Sequence, residues 1–368
     1  MKKIALFLPD LEGGGAQRIV LTLAENFVAN GIAVDLILIK AEGPFLKDVP
    51  RRVKLISLLS TTNSRSLIGV VVVLYKLVKY LRLECPDCLV SSMSRPNILA
   101  SISRYLAKTL TPLILREDNT SPNIRDWPTR LGMRWFYPRA NGCIAISEGV
   151  KQDLMHFFSV QPQNIFTVHN PVDVYQVRHL ANENIPHPWF RSNTVPVILG
   201  IGRLTAQKDF STLIRAFAAA RSNRALKLII LGEGPLRFKL ENLVCELKIK
   251  NDVWMPGFVS NPYAYMKGAT LFVLSSKWEG LGVVVIEALA LGMRVVSTDC
   301  HSGPAEILDN GHYGRLVPVG DVDALNKAIL LSLDDAVDEA LLRKRADMFS
   351  PEKIIPQYLS ILSSIATH

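Results

Sequence analysis

Two carboxylates and two cations carry the chemistry of this sequence. Glu279 and Glu287 stand eight residues apart within LFVLSSKWEGLGVVVIEALALGMRVVSTDC, residues 271–300. An apolar run, Leu271 to Leu274, stops at Ser275; a polar turn carries Glu279; a second apolar run holding Glu287 ends at Gly292; and Met293 to Ser297 is apolar again. That order reads as strand, loop, helix, strand. Such a unit sets its loop at the carboxyl edge of a parallel sheet, where open α/β folds bind ligands, and aims the amino end of the helix into the crevice. Acids repel phosphate, so the job left for them beside an anion site is to hydrogen-bond hydroxyls. Arg203 and Lys208, five apart in GRLTAQKD, supply the complement: a planar fork and a point charge suited to clasp a diphosphate.

The rest of the chain has to position these groups. At 368 residues, two domains are expected. Ile4 to Leu8 predicts a buried strand, Gly13, Gly14 and Gly15 a tight turn, Ala16 to Asn30 a helix closed by Gly31, and Ala33 to Ile39 the next strand. A glycine turn between strand and helix lets backbone amides approach phosphate, although many α/β folds need a tight turn there in any case. A dinucleotide site would want an acid at the carboxyl end of the second strand. Asp35 lies near its start, which speaks against a nicotinamide cofactor.

Cys88 to Met93, Pro112 to Leu115 and Gly142 to Ile146 predict further short buried strands. Each leads into a polar loop: Ser94-Arg95-Pro96-Asn97, Arg116-Glu117-Asp118-Asn119 and Ser147-Glu148-Gly149. Those loops share a sheet edge with the glycine turn, which makes Ser94, Arg95, Glu117 and Asp118 candidates for holding the substrate of this half. Ile165 to Val168 runs into His169-Asn170-Pro171-Val172-Asp173, and periodicity then fades through Pro186-His187-Pro188-Trp189, the expected linker. Three segments follow: a first domain over 1–185, a second over 186–350, and a helix over 351–368.

In the second domain Val195 to Ile201, Leu226 to Leu231 and Val253 to Met255 predict strands to join the two in 271–300. Their loops carry Arg203, Lys208, Glu233, Glu279 and Glu287. Asp321 to Asp347 reads as helical, and Pro351 opens a last helix to Ile365. Asp321-Val322-Asp323 has the spacing of a metal clamp, but it follows Gly320 and opens a helix, so its acids read as cap and first-turn residues. No metal is expected.

Lysine and arginine outnumber aspartate and glutamate 42 to 33, a net charge of +9. The excess is uneven: residues 1–185 hold 22 basic and 15 acidic side chains, net +7, against 20 and 18, net +2, in residues 186–368. The first half therefore suits an anionic partner such as a membrane surface or a phosphorylated acceptor, or is one side of a generally basic soluble enzyme. Lys76, Lys79 and Arg82, three apart in the apolar stretch Ser66 to Leu83, mark one edge of a helix that covers a sheet, lies on anionic lipid, or does both. The five cysteines, Cys85, Cys88, Cys143, Cys245 and Cys300, are odd in number and scattered, as in a reducing compartment; Cys88 opens an apolar run and reads as a strand residue rather than a zinc ligand. IALFLP is too short for a signal sequence, and no apolar segment reaches membrane-spanning length free of charge. A cytoplasmic protein, peripheral on the inner face of the plasma membrane, is expected, and nucleic acid is not expected among its partners.

EGLGVVVIEALALG with its E-x7-E spacing, GRLTAQKD, LGEGP, the Asn170-Pro171-Val172-Asp173 boundary and the early GGGAQR together resemble the retaining glycosyltransferases of family 4. The resemblance covers nearly the whole chain in family order. Ser147 to Val150 and Asp299 to Leu308 also look like the branch that builds lipopolysaccharide cores, capsules and lipid-linked oligosaccharides. It implies the α/β GT-B fold, two Rossmann-like parallel-sheet domains facing a central cleft, with the last helix packed back on the first domain. It also implies retaining, metal-independent transfer of a hexosyl or N-acetylhexosaminyl group from a nucleotide sugar, UDP-linked, to a lipid-anchored saccharide, with no cofactor.

Carried over by position, the resemblance gives Arg203 and Lys208 the donor diphosphate, Glu287 the ribose hydroxyls and Glu279 the donor sugar. Backbone around Phe258 and Val259 would meet the base near Glu233, and Gly282 and Val283 would present helix amides. Gly14 and Gly15 would approach the phosphates from the first domain. Many relatives carry an aromatic where this chain has Leu281, and a histidine where it offers Ser94, Arg95 and Asp118. A sugar epimerase or phosphorylase of the same architecture, and a non-catalytic nucleotide-sugar-binding scaffold, are the competing readings. A phosphorylase would show a cofactor lysine motif, and a scaffold would have lost one of the four charged groups.

Overall fold

Short apolar runs separated by amphipathic stretches can satisfy their backbone and bury both faces only by pairing in parallel and covering the sheet with the intervening helices. The computed structural model, which describes residues 1–12, 14–60, 66–119, 126–185, 187–191 and 195–366, shows that arrangement twice. The first sheet contains β1 (Lys3–Leu8), β2 (Ala33–Lys40), β3 (Lys54–Leu59), β4 (Cys88–Ser92), β5 (Leu113–Glu117), β6 (Gly142–Ala145) and β7 (Ile165–Thr167), in the order β3-β2-β1-β4-β5-β6-β7. The second contains β8 (Val197–Ile201), β9 (Lys227–Leu231), β10 (Val253–Gly257), β11 (Leu271–Leu274), β12 (Arg294–Thr298) and β13 (Arg315–Val317), in the order β10-β9-β8-β11-β12-β13. Neighbouring strands are parallel in both.

The first unit comprises Met1–Pro171 with Pro351–His368, and the second Val172–Ser350. The change of unit thus falls at Pro171/Val172 instead of 185/186. The reason is local: the Val172 amide donates to Phe349 O at 2.9 Å, and Arg178, on helix Val174–Leu180, donates to Ala290 O at 3.0 Å and pairs with Asp347 at 2.7 Å. The stretch read as a linker packs too, since His187 stacks on Trp254 with ring centroids 3.9 Å apart; Pro186 lies outside the described residues. The last helix, Pro351–Ala366, belongs to the first unit and meets helix Gly15–Ala29 through Tyr358 and Phe27.

Other elements depart from the sequence reading. Ser94-Arg95-Pro96-Asn97 is no loop but the first turn of helix Ser94–Ala107, entered directly from β4 through Met93 at φ 77°. Arg116 and Glu117 are the last residues of β5, which can carry charge because partners in the same unit satisfy both side chains. Helix Asp321 to Asp347 is two helices, Val322–Asp334 and Glu339–Asp347. Asp321 caps the first by accepting from the Ala324 amide at 2.9 Å. Asp35 is spent at the far end of its strand, on Lys3 at 3.0 Å and Tyr80 at 2.7 Å. Among the described residues no helix is long and apolar enough to cross a membrane.

Candidate active site

In the second sheet the chain leaves β8 toward β9 and β10, then returns to add β11 on the other side of β8. Loops that follow adjacent strands on either side of such a reversal part and leave a crevice between them. The β8 loop carries Arg203 and Lys208, and the β11 loop carries Glu279. Backbone staples fix the two against each other: the Lys277 amide donates to Gln207 O at 2.7 Å, Gln207 Nε2 to Trp278 O at 3.0 Å, and Ser275 Oγ to Lys208 O at 2.8 Å. Thr298, ending β12, supports the same loop by donating to Ser276 O at 2.6 Å, and Ser302 donates to Gly280 O at 2.8 Å. Gly303 adopts φ 91° and lies so close to Leu281 that a Cβ there would stand 2.2 Å from the Leu281 oxygen.

This frame presents an ion pair of a half-buried lysine with a buried glutamate. Lys208 Nζ reaches Glu279 Oε1 at 2.5 Å, with Ser276 Oγ donating to the same oxygen at 2.5 Å. Glu279 Oε2 has no hydrogen-bond partner among the described residues. A side chain on Gly202 would crowd Lys208, with Cβ 3.0 Å from its Cδ and Cε. Arg203 differs: it is exposed, and its guanidinium meets no partner among the described residues. Next to Glu279, Gly282 at φ 87° turns the chain into helix Val283–Ala290, and a Cβ on Gly282 would stand 3.8 Å from Glu279 Cγ, so the amino end of this helix lies beside the carboxylate. Burial, with the Glu279 charge beside it, pushes the Cys300 thiol up to about 12.

The remaining candidates of this unit lie farther along the same edge. Glu287 is one turn into the helix and accepts from Tyr263 Oη at 3.0 Å. Glu233, after β9, pairs with Arg237, which also donates to Met255 O at 2.7 Å. Phe258, after β10, is exposed and Val259 half-buried. The charged groups therefore fall into a tight pair, Lys208 with Glu279, a free cation in Arg203, and two acids already engaged by neighbours.

In the first unit the candidates on β4 and β5 belong to a buried network. Glu117 is fully buried and accepts from Tyr137 Oη at 2.5 Å, from Ser94 Oγ at 3.2 Å and from the Asn119 amide at 3.3 Å. Burial pushes its carboxyl up to about 7, the Asp118 charge adds to that, and the hydrogen bonds oppose it. Arg116, also fully buried, holds Asp118 at 2.6 Å, Asn170 Oδ1 at 2.5 Å and Tyr358 Oη at 3.1 Å, tying β5 to the last helix. Burial raises the Asp118 carboxyl as well, against the pull of Arg116. Arg95 is the accessible member and pairs with Asp126 at 3.0 Å. Gly14 caps helix Gly15–Ala29; nothing lies within 4 Å of a Cβ built on Gly15, and Gly13 lies outside the described residues.

Residues 13–176 match the family model described as Glycosyltransferase Family 4, and residues 182–349 match that described as Glycosyl transferases group 1. The chain belongs to glycosyltransferase family 4. It is 29% identical, over 98% of its own length and all of the relative, to N-acetylgalactosamine-N,N'-diacetylbacillosaminyl-diphospho-undecaprenol 4-alpha-N-acetylgalactosaminyltransferase of Campylobacter jejuni. A second enzyme of that organism, an alpha-1,4-N-acetyl-D-galactosaminyltransferase acting on a diNAcBac-PP-undecaprenol glycan, is 28% identical over 91% of this chain and 90% of the relative. Among solved structures, Anabaena HepE in complex with UDP and glucose superposes with a TM-score of 0.83, covering 99% of this chain and all of that one at 20% identity. The two parallel-sheet units are those of the GT-B fold.

Several groups that shape these candidate clusters were not legible as such. Ser275 and Ser276 directly follow an apolar strand and precede Glu279, a position from which a hydroxyl can reach a loop carboxylate. Tyr263, Tyr137, Asn97 and Tyr358 gave no signal, because each meets its partner across a fold that spacing alone does not describe.

Proposed function

We propose that this glycosyltransferase moves a hexosyl or N-acetylhexosaminyl group, with retention of configuration, from a UDP-sugar to a hydroxyl of a lipid-anchored saccharide on the cytoplasmic face of a membrane. The observation that carries the reading is the geometry of Glu279. Lys208 and Ser276 fix one carboxylate oxygen and leave the other without a partner among the described residues, in a side chain that lies beside the amino end of helix Val283–Ala290. A carboxylate held in this way can accept from a sugar hydroxyl, while the free Arg203 and the helix amides take the diphosphate. The two Campylobacter relatives, matched over almost their whole length, support an undecaprenol-linked saccharide acceptor and an N-acetylhexosamine donor.

In this mechanism the anomeric carbon passes through an oxocarbenium-like state. The departing diphosphate oxygen, on the face where the acceptor arrives, receives the acceptor proton, so no protein nucleophile takes part. Arg203, Lys208 and the helix amides stabilise the negative charge that grows on the leaving group, the role a metal plays elsewhere. Glu287, oriented by Tyr263, takes the ribose, and Phe258 and Val259 border the base.

The test is a panel of UDP-, GDP- and dTDP-sugars with an undecaprenol-linked acceptor, product configuration being read from the anomeric proton by NMR. One UDP-N-acetylhexosamine should dominate, the product should be α from an α donor, and Glu279→Gln should lower kcat by about a hundredfold or more with little change in UDP affinity. No transfer from any nucleotide sugar, or unchanged turnover in Glu279→Gln, overturns the proposal.

A further inference from the structure

The helices Leu67–Glu84, Ser94–Ala107 and Trp127–Phe136 lie side by side over one face of the first sheet. The last of them is turned inside out. Its buried positions are Thr129 and Met133, whereas Trp127, Leu131 and Trp135, spaced by four, face solvent at 73%, 60% and 60% exposure. The orientation is fixed by packing, since Gly132 lets helix Ser94–Ala107 approach until a Cβ would stand 2.7 Å from Ile98 Cδ1. The neighbouring helices extend the apolar surface. Ile68, Val71 and Tyr75 form an outward stripe on the first, and Tyr105 and Leu110 project where the second ends. A soluble surface has no reason to gather tryptophan and leucine in this way.

The charges around this surface are mostly positive, and its two acids, Glu84 and Asp126, are each held by a cation. Helices Ser94–Ala107 and Trp127–Phe136 contain no acid at all, and in Leu67–Glu84 the one acid, Glu84, is held by Lys3 and Lys54. Lys76, Lys79, Lys108 and Arg134 have no ion pair or side-chain hydrogen bond among the described residues. Arg82, by contrast, is committed: it donates to Ala107 O at 3.2 Å and to Leu106 O at 3.0 Å, clamping two of the helices together. Aromatic and leucine side chains ringed by unpaired cations match the boundary between acyl chains and anionic headgroups.

We propose that this three-helix face inserts into an anionic lipid surface, with Trp127, Leu131 and Trp135 as its anchor. The inference deepens the proposed function, resting on its reading of a lipid-anchored acceptor. The anchor adjoins the acceptor-side edge of β4 and β5, because Asp126, which precedes Trp127, pairs with Arg95 beside Ser94. A membrane held there would deliver the acceptor's diphosphate and first sugars to that edge.

The test is flotation of the full chain with vesicles of phosphatidylglycerol and phosphatidylcholine, and with phosphatidylcholine alone, alongside quenching of tryptophan by acyl chains brominated near the headgroup. The wild type should float with the anionic vesicles and be quenched, and W127S/L131S/W135S should bind at least tenfold more weakly, since each anchor side chain buries apolar area. K108Q/R134Q, which keeps the anchor, should lose about twenty-five-fold on anionic vesicles and nothing on neutral ones, each cation being worth about five-fold near such a surface. Wild type that stays unbound, a triple variant that binds as well as wild type, or a face that instead makes a dimer dissolved by the triple variant, each overturns the inference. Transfer to a detergent-solubilised acceptor keeps the two proposals apart. It should be unchanged in the triple variant, and wild-type transfer without flotation would sink the docking face alone.

Discussion

Replacing Glu117 with glutamine should change how the stability of the first unit depends on pH, by an amount its burial sets. The carboxyl is fully buried at the end of β5 and, chiefly through that burial, is pushed up from 4.5 to about 7. The unfolded chain releases this proton near the ordinary value and the folded chain releases it near neutrality. Between those values the native state binds more protons than the unfolded one, so stability falls as pH rises through the window and the loss is complete above it. From about pH 5 to about pH 8 the expected loss is about 2.5 kcal/mol. Asp118, Arg116 and Tyr137 face the same network and are present in both proteins, so the difference between the two pH profiles reports Glu117 together with its coupling to them. Glutamine also alters the Tyr137 hydrogen bond, but that change does not vary with pH over this range. The variant should therefore gain about 2–3 kcal/mol on the wild type across the window. Because two units need not unfold together, the readout is native-state hydrogen exchange of β5 amides, with the carbon-13 shift of the Glu117 carboxyl as a direct titration. A midpoint in the ordinary carboxylate range, or equal pH slopes in the two proteins, would refute the reasoning.

The other predictions concern the second unit, the glycine turns and the thiols. Lys208→Met strands Glu279, whose side chain is 8% exposed, and should cost about 2–4 kcal/mol in thermal or urea unfolding. Arg203→Met, which breaks no side-chain hydrogen bond or ion pair among the described residues, should leave stability within about 0.5 kcal/mol while weakening UDP binding about tenfold or more by calorimetry. Gly303→Ala, at φ 91° and with 2.2 Å to the Leu281 oxygen, should lower stability by about 2 kcal/mol or more. Gly15→Ala has open space around it, so it should fold normally, and a drop in its kcat/KM would then report a close backbone approach to substrate. Native protein treated with a thiol reagent should label at Cys85 and Cys245 alone, because Cys88, Cys143 and Cys300 are buried and their thiols are pushed up to about 12.

What the sequence disclosed divides by the range of the interaction. Apolar runs such as β4, CLVSS, and β11, LFVL, are buried on both faces, and local composition is enough to find them. Arg203, Lys208 and Glu279 could be recognised because each lies in a polar loop that follows an apolar strand run. The strand order could not: nothing in 197–298 states that β11 returns beside β8, yet that return is what makes a pair of Lys208 and Glu279, 71 residues apart. The polar run Arg116 to Asn119 looked like a loop because its charges could not be assigned partners. Those partners, Tyr137, Asn170 and Tyr358, come from three distant segments and allow β5 to continue through Glu117. The unit boundary was displaced for the same reason, since the contacts that bind 172–185 to the second unit reach Ala290, Phe349 and Asp347.

The Lys208–Glu279 pair also alters the division of labour between the two cations. Spacing alone made Arg203 and Lys208 equal partners for a diphosphate. In the structure, much of the Lys208 charge is answered by Glu279 before any ligand arrives, and the pair has little exposure, so its desolvation has been met in folding. On the proposed reading, a diphosphate entering the crevice would find, among the described residues, Arg203 as a cation without a partner, the amino end of a helix, and a lysine it must share with a carboxylate. Sharing is useful for transfer. On the proposed mechanism, as negative charge grows on the leaving oxygen, Lys208 would shift toward it while Glu279 turns its open oxygen to a sugar carrying positive charge. Both shifts favour the transition state over the ground state, which is the condition for raising kcat rather than binding alone. On the proposed mechanism Arg203 would engage the diphosphate throughout, so its loss should appear in affinity and that of the pair in turnover.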